Sequence, residues 1–481
     1  MTSRYRVEYA LKQHRRDEFI EWIKGLLAVP FVLRADAENY DNVFDSHFDD
    51  PSLYEEYVST KEDQIQAECQ KGYLSVFRDV EQLIEHTIVI DNLNETRNSN
   101  VLESRLRKLV PSLGRFFTPL PLCQAFLIED QRRMMSQRRL VSPSFNDVRS
   151  ILNTAQVLSL SKLYKDSVEK TGTRLKLITF DGDVTLYNDG SSLTVDSPVV
   201  KRLVKLLSLN LFVGVVTAAG YPGQSGALKY YERLKGLVDV IREDTTLTDW
   251  QKHNLLVMGG ESNYLFRYDV ELGNFKFIEA EEWFLPLMMS WDKKKIEYIM
   301  ETTDQHLKYL QNKLKLTEKS TIIRKERSIG IIPNPGHKII REHLEEMVLS
   351  CSAKLQVLLT KTDHSGSIEL HNGNTVCETR ERNPADDIRV CAFNGGSDVW
   401  VDIGDKSLGV ESLQRYLCQD IPPDTHNYCP ILKAESLHIG DQFASVGAND
   451  FKARLSACTV WIANPAETVG ILDDLIQNLI M

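Results

Sequence analysis

The sequence predicts an α/β protein with an open parallel-sheet core, an α+β cap inserted into it and a helical domain before it. Three observations carry this prediction. The run Leu175–Tyr187 is apolar and β-branched as far as Phe180 and then breaks at Asp181-Gly182-Asp183, as a buried strand ending in a polar loop does. A second such run, Leu211–Thr217, follows after one helical stretch, so strand, helix and strand form a parallel unit. In residues 1–160, by contrast, apolar positions recur at helical spacing.

Composition sets the outer limits. At 481 residues the chain exceeds one ordinary core, and a prior of ~100–200 residues per domain gives two to four. A chain that is 42% apolar and 26% charged is globular. Its formal charge of −11 argues against general binding to nucleic acid or anionic membrane, both of which need concentrated positive potential. The eight cysteines form no C-x-x-C pair, which fits a reducing compartment better than a disulfide framework or a zinc site. The first residues carry charge where a signal peptide needs an apolar segment, and no run approaches a membrane span. A cytoplasmic protein is expected.

Taken in order, residues 4–33 read as an amphipathic helix ending near Pro30, and the acidic stretch 35–63 as an exposed connector. Helices follow from Lys61 to about Tyr164. Within them Arg105, Arg107, Lys108, Arg115, Arg132, Arg133, Arg138, Arg139 and Arg149 accumulate, either to hold a polyanion such as a nucleoside triphosphate or as an ion-paired surface. The first part of the core is expected over 161–282. It comprises the Asp181 strand, a helix over Val199–Leu209, the Thr217 strand, a helix over 222–250, a strand at Leu255–Gly260 and a hairpin to Ile278.

Residues 283–390 break the parallel pattern and are read as the cap: a helix from Trp283 to about Lys315, a strand over Thr321–Pro333 with Arg324, Lys325 and Arg327, a helix over Lys338–Ser352, a strand at Leu355–Thr360 and a polar loop over 361–387. The core then resumes over 391–481. Lys406 opens a helix, so that its ammonium and the helix amino terminus can meet an anion. Ser436–Asp441 is a strand ending in a carboxylate, followed by Asn449 and Asp450. The strand at Val460 and the helix Glu467–Ile480 close the chain.

Strand ends thus offer Asp181 and Asp183, Thr217, Lys406, and Asp441 with Asp450, in that order. Each has an ordinary reading in isolation: a solvated turn, a strand-end threonine, a solvated lysine. Together they supply a carboxylate nucleophile, a second carboxyl to move a proton, a cation and hydroxyl for phosphate, and hard oxygen ligands suited to Mg²⁺.

This order and spacing resembles the haloacid dehalogenase superfamily of phosphatases, with a cap placed as in its phosphomannomutase-like branch. The amino-terminal segment Arg4–Asp17, the Phe180–Tyr187 loop, Phe145–Asn153 and Gly440-Asp-Gln-Phe resemble, more narrowly, the fungal and protozoan IMP-specific 5′-nucleotidases. That resemblance implies hydrolysis of inosine 5′-monophosphate, Mg²⁺ dependence, ATP as allosteric activator through the helical domain, and a homotetramer. It implies that Asp181 becomes an aspartyl-phosphate and that Asp183 protonates the leaving oxygen and then activates water. Mg²⁺ would take Asp181, the Asp183 carbonyl and Asp441, with Asn449 or Asp450 as a further candidate. Thr217 and Lys406 would hold phosphate, Asp402 would orient Lys406, and Asp189 would contact the nucleoside. Arg149 and Asn153 are effector candidates. The alternatives are a sugar-phosphate phosphatase or phosphomutase with the same chemistry, and a non-catalytic nucleotide sensor.

Overall fold

The structure, a computed structural model, describes residues 17–34, 51–97, 102–138, 140–169, 175–362, 388–420, 431–443 and 447–480. The Arg4–Asp17 segment as far as residue 16, Arg139 and nearly all of the 361–387 loop lie outside the described residues. The chain divides into two compact units. One is Met1–Leu175 with Cys458–Trp461 and Val469–Met481, and the other is Lys176–Ala457 with Ile462–Thr468. No described helix is long and apolar enough to cross a membrane.

The first unit is helical, with helices Glu18–Arg34, Pro51–Arg97, Arg105–Leu109, Leu122–Arg133 and Phe145–Glu169. Its core takes one apolar stripe from each of several helices: Ile23 and Leu27, Tyr73 and Phe77, Leu106, Phe126, and Ile151 with Ala155. The first helix runs through Pro30 to Arg34 rather than ending there. From Pro51 the expected connector is instead part of a 47-residue helix. The basic residues are ion-paired: Arg107 with Asp91 (2.6 Å), Arg115 with Glu95 (2.5 Å), Arg132 with Glu129 and Asp474 (3.0 and 2.8 Å), Arg133 with Glu129 (2.9 Å) and Arg138 with Asp147 (2.6 Å). The ion-paired surface is therefore the reading that holds for these five.

The second unit contains β1 (Leu177–Phe180), β2 (Phe212–Val216), β3 (Leu255–Gly259), β4 (Tyr264–Asp269), β5 (Asn274–Ile278), β6 (Ser320–Arg324), β7 (Ser328–Pro333), β8 (Val390–Asn394), β9 (Val399–Ile403) and β10 (Ser436–Gly440). Within it the larger sheet runs in the order β10-β1-β2-β3-β4-β5. β10, β1, β2 and β3 are parallel, with Leu177 level with Ser436 and Phe212, and Val213 level with Leu255. Each is buried along its whole length, as strands covered on both faces must be. Their carboxyl ends therefore share one edge, where β1 delivers Asp181, β2 Thr217, β3 Glu261 and β10 Asp441.

The smaller sheet is the cap, antiparallel in the order β6-β7-β9-β8, with helices Lys293–Lys313 and Arg341–Thr362 beside it. Four local expectations change here. Thr321–Pro333 is a hairpin, its two strands separated by the turn Lys325–Arg327. The helix expected from Trp283 is interrupted, because Pro286 opens a new turn and Asp292 caps the amino end of Lys293–Lys313. Leu355–Thr360 continues a helix, since a short apolar run reads alike as buried helix or strand. The strands at Val390 and Val399 pair with β7 and with each other, so they complete the cap sheet instead of reopening the core.

Candidate active site

The loop after β1 is tightly wound. Asp181 N–H donates to Ile439 O (2.9 Å) across the sheet, Leu186 N–H donates back to Gly182 O (2.9 Å), and Val184 sits at φ 62°. A β-branched residue in that region is strained, and such strain persists only where the surroundings enforce it. A Cβ on Gly182 would lie 2.7 Å from the Tyr187 hydroxyl, so any larger residue would have to displace that side chain.

Lys406 is wholly buried and sits between two carboxylates, with Asp181 Oδ1 at 2.8 Å and Asp450 Oδ1 at 2.6 Å. Burial opposes its charge, but Asp181, Asp450 and Glu261 outweigh burial and hold it protonated well above the usual lysine range. Asp450 is the most heavily bonded group of the site. Its Oδ1 also accepts from His438 Nε2 (3.0 Å), and its Oδ2 accepts from Gln442 N–H (2.9 Å). Burial works against ionisation there, yet Lys406 and His438 keep it below the ordinary carboxylate value. The other His438 nitrogen meets Thr179 Oγ1 at 2.9 Å, tying the cluster to β1.

Asp181, Asp441 and Asp450 each bring an oxygen to within 4.8 Å of the others. Crowding the acids so closely, away from solvent, destabilises the charges of Asp181 and Asp441. Burial, Asp181 and Asp450 push Asp441 up to about 8, and burial, with Asp450 adding to it, raises Asp181 against the pull of Lys406. A divalent cation would relieve this, and an all-oxygen donor set fits Mg²⁺, which is commonly held by one or two carboxylates. Three of the four lone-pair positions of Asp450 are already taken by protein donors. Asp181 and Asp441 are therefore the better-placed ligands, with Asp450 as the group that orients Lys406.

The cleft in front of this cluster has a volume of about 220 Å³ and is lined from the core by Asp181, Asp183, Thr217 and Tyr221, and from the cap by Lys325, Asp398 and Trp400. Thr217 is fixed by its N–H to Met258 O (2.9 Å), and its Oγ1 accepts from Ala219 N–H (3.2 Å). Asp183 accepts from Gly190 N–H (3.3 Å), and burial raises its carboxyl above the ordinary value. Asp189 is exposed at the rim, its carboxylate facing the cap turn at Gly396.

Two placements differ from expectation. Asp402 does not orient Lys406: it lies on β9 and accepts from Ser328 Oγ at 2.5 Å. Part of the helix amino terminus at Lys406 is taken by its own cap, since Asp405 Oδ1 accepts from Leu408 N–H (3.1 Å). Arg149 and Asn153 belong to the helical unit. Both donate to the Trp461 carbonyl, at 2.8 and 2.6 Å, and Asn153 Oδ1 accepts the Trp461 N–H (3.0 Å).

Glu261 and His438 belong to the site without having been singled out in the sequence. Glu261 is fully buried at φ 64°, and burial pushes its carboxyl up to about 8. Its Oε1 accepts from Asn449 Nδ2 (2.9 Å). Its position after β3, behind two glycines, was a readable signal.

A family model described as IMP-specific 5′-nucleotidase matches residues 1–472. The chain is 70% identical to IMP-specific 5′-nucleotidase 1 of Debaryomyces hansenii over 100% of its own length and 99% of that protein's, and 43% identical to the Saccharomyces cerevisiae protein of the same name over 99% and 100%. Among solved structures it resembles a mutant Plasmodium falciparum IMP-nucleotidase with IMP bound, at TM-score 0.69 and 28% identity over 97% of this chain and 95% of that one. It also resembles the same parasite's ATP-bound enzyme, at TM-score 0.68 and 28% identity over 98% and 88%. With its capped, haloacid dehalogenase-like core and its helical amino-terminal unit, the chain belongs to the IMP-specific 5′-nucleotidase family.

Proposed function

We propose that this chain hydrolyses inosine 5′-monophosphate to inosine and phosphate, with Asp181 as nucleophile. The observation that carries the reading is the buried Lys406 ammonium 2.8 Å from Asp181, in a cleft shared with Thr217 and Asp183. Asp181 attacks phosphorus as the bond to O5′ breaks, and Asp183, whose carboxyl burial keeps more readily protonated, gives its proton to the departing oxygen. Asp183 then takes a proton from the water that attacks the acyl phosphate, and Asp181 is released. Lys406 and Thr217 hold the phosphoryl oxygens throughout, and Asp189 contacts the nucleoside. Asp181, Asp441 and the Asp183 carbonyl would hold Mg²⁺, which supplies positive charge against the phosphate and the crowded acids.

Regulation is part of the proposal: ATP activates the enzyme through the helical unit, the protein works as a cytoplasmic homotetramer, and Arg149 and Asn153 are the effector candidates. ATP bound to those side chains would compete with the Trp461 carbonyl they now hold. The test is phosphate release from IMP, AMP, GMP, UMP, mannose 1-phosphate and glucose 6-phosphate, with Mg²⁺, with and without ATP. The proposal expects a strong IMP preference that rises with ATP. Turnover of sugar phosphates with no ATP effect would replace the substrate, and no turnover at all would leave a nucleotide sensor.

A further inference from the structure

Lys325, in the turn between β6 and β7, lines the same cleft as Asp181 and Thr217. It makes no ion pair among the described residues. Its Nζ donates to Gly220 O at 2.9 Å and lies 5.0 Å from the ring centre of Trp400 and 5.6 Å from that of Tyr221. Trp400 comes from the cap strand β9 and Tyr221 from the loop after β2, so the slot takes one aromatic ring from each sheet. The indole is fixed in its plane. A Cβ on Gly330 would lie 2.4 Å from its ring.

The phosphate end of the cleft already has its cation in Lys406, which Asp181 and Asp450 pin in place. Lys325 therefore serves another part of the ligand. Burial lowers its pKa from the usual lysine value, so an added acceptor is worth more to it than to a solvated ammonium. Of its three N–H donors, Gly220 takes one.

We propose that Tyr221, Trp400 and Lys325 form the base subsite, with Lys325 donating to the 6-oxo oxygen of hypoxanthine, so that the slot favours 6-oxopurines over 6-aminopurines. This rests on the nucleotidase reading above and names what that reading leaves open. Aromatic walls hold any purine, at ~1–3 kcal/mol per stacked base, and do not choose between them. The choice comes from the ammonium, which donates only. Opposite the 6-amino group of adenine it meets another donor, and a buried N–H is left unpaired. Guanine shares the 6-oxo oxygen, so Lys325 separates IMP from AMP and not from GMP.

The test compares kcat/KM for IMP, GMP, AMP and p-nitrophenyl phosphate in the wild type, Lys325→Met and Lys325→Gln. In Lys325→Met the IMP-to-AMP ratio should fall by about tenfold or more, with GMP losing alongside IMP. Lys325→Gln should relax the ratio too, because its amide can turn an oxygen toward the 6-amino group, and it reads the same point if the methionine variant does not fold. Equal losses on all four substrates, or an unchanged ratio in both variants, would overturn the assignment. Either result leaves the nucleotidase reading intact as long as the wild type prefers IMP, whereas a wild type indifferent to IMP removes that reading first.

Discussion

Replacing Asp402 by Asn should flatten the pH dependence of stability. The residue lies on β9 at 1% exposure, with Ser328 Oγ as partner to its Oδ1 and no partner at Oδ2. Burial pushes its carboxyl up to about 7, against smaller opposing effects of Ser328 and Lys325, from an ordinary 3.8. Three units correspond to ~4 kcal/mol between the two protonation states. The folded chain binds this proton more tightly than the unfolded chain. The stability it contributes is therefore complete below pH ~4 and is lost as pH rises to about 7, after which the loss is constant. Asparagine keeps the acceptor for Ser328 and cannot ionise. Urea midpoints of both proteins, followed between about pH 5 and pH 8, should diverge, with the variant gaining on the wild type up to pH ~7 and running parallel above it. Parallel curves across the whole range would refute the placement of a buried, protonated carboxyl at this position.

Two further perturbations bear on the buried cluster. Asp450→Ala strands Lys406 and His438 without their shared acceptor, and should lower stability by ~3–5 kcal/mol in denaturant titration. It should also abolish IMP turnover. Gly440→Ala would place a Cβ 2.4 Å from the Asp450 carboxyl carbon, so the cluster must shift. It should cost ~1–3 kcal/mol by overpacking and reduce kcat by at least tenfold, whereas a wild-type kcat would mean that Asp450 does not position Lys406.

The strand ends were legible because each joins an apolar run to a polar residue: Phe180 to Asp181, Val216 to Thr217, Gly440 to Asp441. What holds them together was less so. Asp450 lies nine residues beyond Asp441, and only the fold brings its carboxylate under Lys406 and His438. Asp402 sits four residues before Lys406, close enough to suggest a pair, yet it faces Ser328 on a neighbouring strand, a partner set by sheet pairing. The cap strands at Val390 and Val399 look like core strands because a short apolar run does not encode which sheet it joins. Lys325 stood in the sequence beside Arg324 and Arg327, but Arg324 pairs with Glu301 and Arg327 lies over the Phe284 ring. Only the hairpin turn separates the lysine that enters the cleft from those that do not.

In turnover Asp181 is expected to carry the phosphoryl group of IMP. Rapid quenching of the wild-type enzyme with phosphate-labelled IMP, followed by peptide mapping, should find label on the Asp181 peptide. Asp181→Asn should lack the label and lose several orders of magnitude in kcat. Near-normal phosphate release by Asp181→Asn, or label mapping to another residue, would contradict the account.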